Sequence, residues 1–148
     1  MGLIHVTVTL LSFERVDAAY QADFLVDTGA TDSMAPASEL YRIGVVPVGR
    51  MAYELADGSA HEYEFGLARI EFMGEVTAGR VLFGPDGVEP LLGVTALESV
   101  GITIDPVRGQ ARSDSRLRRS WRDLVSLEIL DASLRVTDAA RIEYQATG

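Results

Sequence analysis

The sequence predicts a mostly β domain with two short helices, and three observations carry that prediction. Apolar and β-branched residues alternate over 3–11, so that Ile4, Val6, Val8 and Leu10 share one side with Thr7 and Thr9 between them. Asp57-Gly58, a strong tight-turn signal, sits between two strand-like arms at 51–56 and 59–65. Short apolar runs end repeatedly at glycine, as in Phe24-Leu25-Val26-Asp27-Thr28-Gly29 and Leu91-Leu92-Gly93.

Taken in order, the first strand covers 3–11 and gives way to a polar turn over 13–17. A second strand runs over 18–26 and ends at Asp27. Met34-Ala35-Pro36 is expected to leave the sheet, and 37–43 to form a short helix stopped by a left-handed Gly44. Residues 45–48 read as extended, leading into a hairpin whose Asp57-Gly58 turn needs two positive φ angles. Its arms carry Tyr, Glu and His rather than a continuous apolar face, so the hairpin is expected to project from the body. A separate strand over 67–72 turns at Gly74 and returns through 76–83. After the turn cluster Gly84-Pro85-Asp86-Gly87 comes the short strand Pro90-Leu91-Leu92-Gly93. Thr95-Ala96-Leu97-Glu98 fits a capping box opening a helix that ends at Gly101, and Ile102-Thr103-Ile104 is a further strand. Composition shifts after Ala111: residues 112–122 hold five arginines around Trp121, and the pattern beyond fits helix and strand equally. The division expected is a domain over 1–112 and an extension of unassigned role over 113–148.

Composition narrows the function. With 148 residues, 47% hydrophobic and 24% charged, the chain is long enough to bury a real core. Its net charge is −9, and all 13 basic residues are arginines, which disfavours nonspecific binding to nucleic acid. A solvated face pairing with the acidic body is the favoured reading of the arginine cluster. The absence of cysteine excludes disulfides, thiolate catalysis and Cys-type zinc sites. His5 and His61 are too isolated for a His-rich metal centre, and no cofactor is expected. The N-terminal residues lack a basic leader and a cleavage site, and no run reaches the roughly 18–20 apolar residues of a membrane span. No membrane association is expected, and a cytoplasmic location is.

Asp27 concentrates the chemistry. An ionised acid directly after three large apolar residues is costly to bury unless hydrogen bonds or a partner charge compensate it. Either it caps a turn, or it reacts. A phosphoryl-transfer nucleophile is disfavoured, because neither a second nearby acid nor a phosphate-cradling glycine loop accompanies it.

Asp27-Thr28-Gly29-Ala30, preceded by Phe24-Leu25-Val26, resembles the catalytic signature of retroviral-type (retropepsin-like) aspartic proteases, specifically their short bacterial members. Val81-Leu82-Phe83-Gly84-Pro85 and Leu91-Leu92-Gly93 resemble that family's second block, in which two apolar residues and a glycine cross beneath the catalytic loop. Asp57-Gly58 falls at the flap tip, and the resemblance covers about residues 1–112. It departs at Thr31, where the family usually has an acid, and at Val94, where it has an arginine. Those charges pair in the family, so losing both leaves no orphan.

The resemblance implies a closed β-barrel or sandwich with a flap hairpin, working as a homodimer. One Asp-Thr-Gly is half of a two-carboxylate site, so Asp27 of each subunit would face its twin across a two-fold axis. Thr28 would lock the two loops together, and Gly29 would let substrate approach. Ala30, Thr31, Asp57 and Gly58 would contact an extended peptide. Relatives with Ser in place of Ala30 give the pair an extra donor, so this chain is expected to work at a less acidic pH than pepsin-like enzymes. Two other readings remain at this point: a retropepsin-like dimer that binds peptide or scaffolds without hydrolysis, and an unrelated β protein with a chance motif.

Overall fold

The computed structural model describes residues 3–113 apart from 56, 106, 107 and 109, all within a first unit spanning Met1–Asp114. Of the arginine cluster only Arg112, in the last strand, is described; Trp121 with the other four arginines, and all but the first residue of the 113–148 extension, lie outside the described residues.

Nine strands and two short helices follow one another as β1 (His5–Leu11), β2 (Tyr20–Asp27), β3 (Ser33–Pro36), α1 (Ala37–Arg42), β4 (Gly49–Glu54), β5 (Ala60–Phe72), β6 (Glu75–Gly84), β7 (Leu91–Gly93), α2 (Val94–Ser99), β8 (Ile102–Asp105) and β9 (Gln110–Ser113). Seven form one sheet in the order β1-β2-β7-β3-β6-β5-β4, and β1 is bonded on both sides because it also pairs with β5. β8 and β9 make a separate antiparallel pair.

Alternation produces these strands. In β5, Gly66, Ala68, Ile70 and Phe72 are buried while Leu67 and Arg69 face outward. One face of the pleat thus packs inward. Val8 and Leu10 of β1, Phe24 of β2, Val81 and Phe83 of β6 and Leu92 of β7 complete the same core. Leu10, Phe24, Leu40 and Ile43 are fully buried, each contributing about 2 kcal/mol in transfer out of water. Among the described residues no helix is long and apolar enough to cross a membrane.

Four expectations need correction. Residues 33–36 do not leave the sheet: β3 lies between β7 and β6, parallel to β6 from Ser33 opposite Val81 to Pro36 opposite Gly84. Proline is tolerated there as the last residue of the strand. The hairpin arm and the strand at 67–72 are one continuous strand, because Gly66 passes against Val45 and the Val46 carbonyl without needing a bend. The two-residue turn with two positive φ angles occurs at Met73-Gly74 (51° and 75°), joining Phe72 to its partner Glu75. At the other hairpin Gly58 alone among the described residues is left-handed (82°), and the loop is longer, with the Gly58 N–H donating to the Leu55 carbonyl. Finally, α2 begins at Val94 with Gly93 as its cap and no side-chain capping bond, so the capping box at Thr95 does not form.

Candidate active site

Asp27 is the last residue of β2, placed there by a parallel ladder in which Leu25, Val26 and Asp27 stand beside Leu91, Leu92 and Gly93. The chain then turns tightly. The Gly29 N–H donates to Asp27 Oδ1 at 3.0 Å, and the Ala30 N–H donates to the Asp27 carbonyl at 3.2 Å. The acid therefore does cap its own turn, as its bland reading required. That uses one oxygen. Among the described residues the half-buried carboxylate has no other hydrogen-bond partner, so Oδ2 is unengaged.

The loop after Asp27 is locked by β7 crossing against it. The Gly93 N–H donates to the buried Ser33 Oγ at 3.0 Å. The Val94 and Thr95 N–H groups donate to the carbonyls of Ala30 (2.8 Å) and Thr31 (3.2 Å). Where the family resemblance would put an Arg–carboxylate pair at Val94 and Thr31, this chain has main-chain bonds at the same two residues. A Cβ at Gly93 would come within 2.5 Å of the Asp32 carbonyl carbon, so only glycine fits the crossing.

Asp27 opens onto a cavity of about 640 Å³. Its other acids are Asp32 and Glu54, so the expectation that no second acid lies near Asp27 does not hold. Its apolar walls include Met34, Leu82 and Leu91, Tyr53 and Tyr63 add aromatic surface, and among the described residues no basic one lines it. Four consecutive hairpin residues, 52–55, form one side. They belong to or follow β4, which among the described residues is the end strand of the sheet and pairs only with β5. Such an unpaired edge can accept an extended peptide as an added strand.

Of the residues singled out from sequence, Asp27, Gly29, Ala30 and Thr31 meet at this cavity. Thr28 is exposed beside it, and Asp57 and Gly58 lie at the hairpin tip, outside its lining. Asp57 is occupied locally: its Oδ1 accepts from the Ser59 hydroxyl and N–H, which holds its carboxyl below the usual range.

Two residues were not found from sequence. The Tyr53 hydroxyl donates to Asp32 Oδ2 at 2.6 Å, joining β4 to the loop that carries Asp27. The available signal was an acid one place beyond Thr31, close enough to the motif to share its loop. Burial of the phenol, together with the hydrogen bond and negative charge of Asp32, raises the Tyr53 pKa to about 12. The neutral phenol is the form the fold favours. Its contribution is therefore complete below the unfolded value near 10 and is lost as pH rises through 12. Burial also raises the Tyr20 phenol, so ultraviolet titration is expected to show Tyr53 and Tyr20 ionising late, and Asp32→Asn is expected to bring Tyr53 alone earlier. An unchanged late phase in Asp32→Asn would contradict this assignment.

No known protein-family signature matches the chain, and no curated protein matches it. Among solved structures it is similar to the solution structure of simian foamy virus (mac) protease, at 16% identity over 64% of this chain and 92% of that one, with a TM-score of 0.46. It is also similar to the crystal structure of the retroviral protease-like domain of Ddi1 from Leishmania major, at 18% identity over 78% of this chain and 90% of that one, with a TM-score of 0.49. Likeness of this extent assigns no activity or substrate to the chain.

Proposed function

We propose that this chain is an aspartic endopeptidase of retropepsin type, active as a homodimer built from a domain over 1–112. The observation that carries the proposal is Asp27 itself: a half-buried carboxylate at a strand end, with one oxygen unengaged, opening on a cavity walled by a free strand edge.

Hydrolysing a peptide bond without metal or covalent nucleophile needs a base to activate water and an acid to protonate the carbonyl. Two Asp27 carboxylates facing across a two-fold axis would share one proton, since close like charges resist double ionisation, and could fill both roles. Their titration would belong to the pair. Exposed Thr28 would bond across the axis, Gly29 would admit the substrate backbone, and the hairpin over 49–65 would cover the peptide and exclude water. Main-chain bonds to the β4 edge would hold the peptide extended, while the apolar walls receive its side chains.

The test is cleavage of a random-peptide library by wild type and by Asp27→Asn, with an aspartic-protease inhibitor as second control. Cleavage by wild type alone, blocked by the inhibitor, is expected. Equal cleavage by both proteins removes the proposal, and cleavage by neither at any pH leaves a peptide-binding or scaffold dimer in its place. With Ala30 offering no side-chain donor to the pair, the pH profile is expected to peak above about 4; a maximum well below that contradicts the assigned role of Ala30.

A further inference from the structure

We propose that Tyr53 is a positioning residue whose bond to Asp32 sets the height of the roof hairpin over Asp27; the inference rests on the endopeptidase reading only for its effect on turnover. β4 has a ladder on one side alone, so its free edge must be held against the body by side chains. Most of the strand cannot do this, since Arg50, Met51, Ala52 and Glu54 are all exposed. Tyr53 is half-buried, and the other half-buried residue of the strand, Gly49, has no side chain to reach with. Its ring lies 6.2 Å from that of Tyr63 on the paired strand, and its hydroxyl reaches Asp32 at 2.6 Å. Bonds from a neutral donor to a carboxylate are among the stronger ones available to side chains.

The other end of the tie is equally well placed. The Asp32 backbone is the surface against which Gly93 packs, and the next residue, Ser33, accepts the Gly93 N–H. The same crossing sets Asp27 through the β2–β7 ladder. Roof and acid are thereby referenced to one rigid point, as a preorganised site requires. Arg80 also approaches this corner, with its guanidinium against Met51 Sδ and over the Phe65 ring. Variants at Asp32 separate the tie from that contact.

Amide hydrogen exchange of the peptide-free protein tests the tie without relying on catalysis. Tyr53→Phe and Asp32→Ala are each expected to speed exchange over 50–55 about tenfold, the effect of losing one charge-assisted bond from a local opening. Asp32→Asn keeps an accepting oxygen but loses the charge, and is expected to fall between wild type and Asp32→Ala. Amides over 66–72 in the core half of β5 are expected to be unchanged in all three. Unaltered exchange over 50–55 in Tyr53→Phe, or an acceleration spread equally over 66–72, would overturn the proposal. With a cleaved peptide, Tyr53→Phe is expected to raise KM about tenfold at nearly constant kcat, because a covering hairpin holds ground and transition states alike. Loss of kcat at constant KM would count against it. Should wild type cleave nothing, the endopeptidase reading falls, and the exchange experiment still decides the tie.

Discussion

Asp27→Asn is expected to lower peptide cleavage by roughly 10³-fold or more, in line with removing a general acid–base pair, while leaving the fold intact. The substitution is nearly isosteric, and the geometry shows why it should be silent structurally. Among the described residues the one bond the carboxylate makes is from the Gly29 N–H to Oδ1, and an amide oxygen can still accept it. What the amide cannot do is share a proton with a second carboxylate. The proposed dimer adds a quantitative signature. If subunits exchange freely, mixing equal amounts of wild type and Asp27→Asn leaves only wild-type pairs competent, so activity per total protein falls to about a quarter rather than a half. A fall to one half would mean that each subunit acts alone, and the two-acid mechanism would be lost with it.

Gly93→Ala carries the largest expected effect on stability. A Cβ there would sit 2.5 Å from the Asp32 carbonyl carbon and 2.7 Å from both the Asp32 and Thr31 carbonyl oxygens. All three are backbone atoms, so no side chain can swing away. Relief requires separating β7 from the catalytic loop, which breaks the Gly93–Ser33 bond and the ties to Ala30 and Thr31. The expected cost is about 3 kcal/mol, or a melting temperature lower by roughly 10–15 °C. Gly79→Ala is the control. A Cβ at that position meets only the end of the Ile70 side chain at 3.9 Å, and its melting temperature should stay close to that of wild type. A Gly93→Ala protein melting within about 2 °C of wild type would show that the crossing is looser than its geometry implies.

The strands that carry the core were legible because alternation reports which face is buried. Val8 and Leu10 are inside, on the side their spacing predicted, and the strand read over 67–72 places Ile70 and Phe72 in the same core. The turn at Asp27 was legible because an acid between an apolar run and a glycine is locally unusual, and the chain does close the turn that this composition allows. Turn chemistry was less faithful. At Met73-Gly74 the ladder closes at Phe72 and Glu75 and leaves two residues to turn, whereas around Asp57-Gly58 it ends at Glu54 and Ala60 and leaves a longer loop.

The short strand β3 was missed for a related reason. Four residues containing a proline have little strand preference of their own, and Ser33–Pro36 is extended because β6 and β7 flank it on both sides. The Tyr53–Asp32 tie lay further out of reach, since it joins residues 21 positions apart on elements with no pattern relating them.

Local sequence alone determined the acid, its turn, the glycine at the crossing and the faces of the long strands, because each depends on near neighbours and on sterics. Tertiary structure decided which strands became neighbours, what occupies the cavity wall opposite Asp27, and which side chain holds the roof. Those outcomes depend on long-range pairing, and residue spacing along a chain does not encode it.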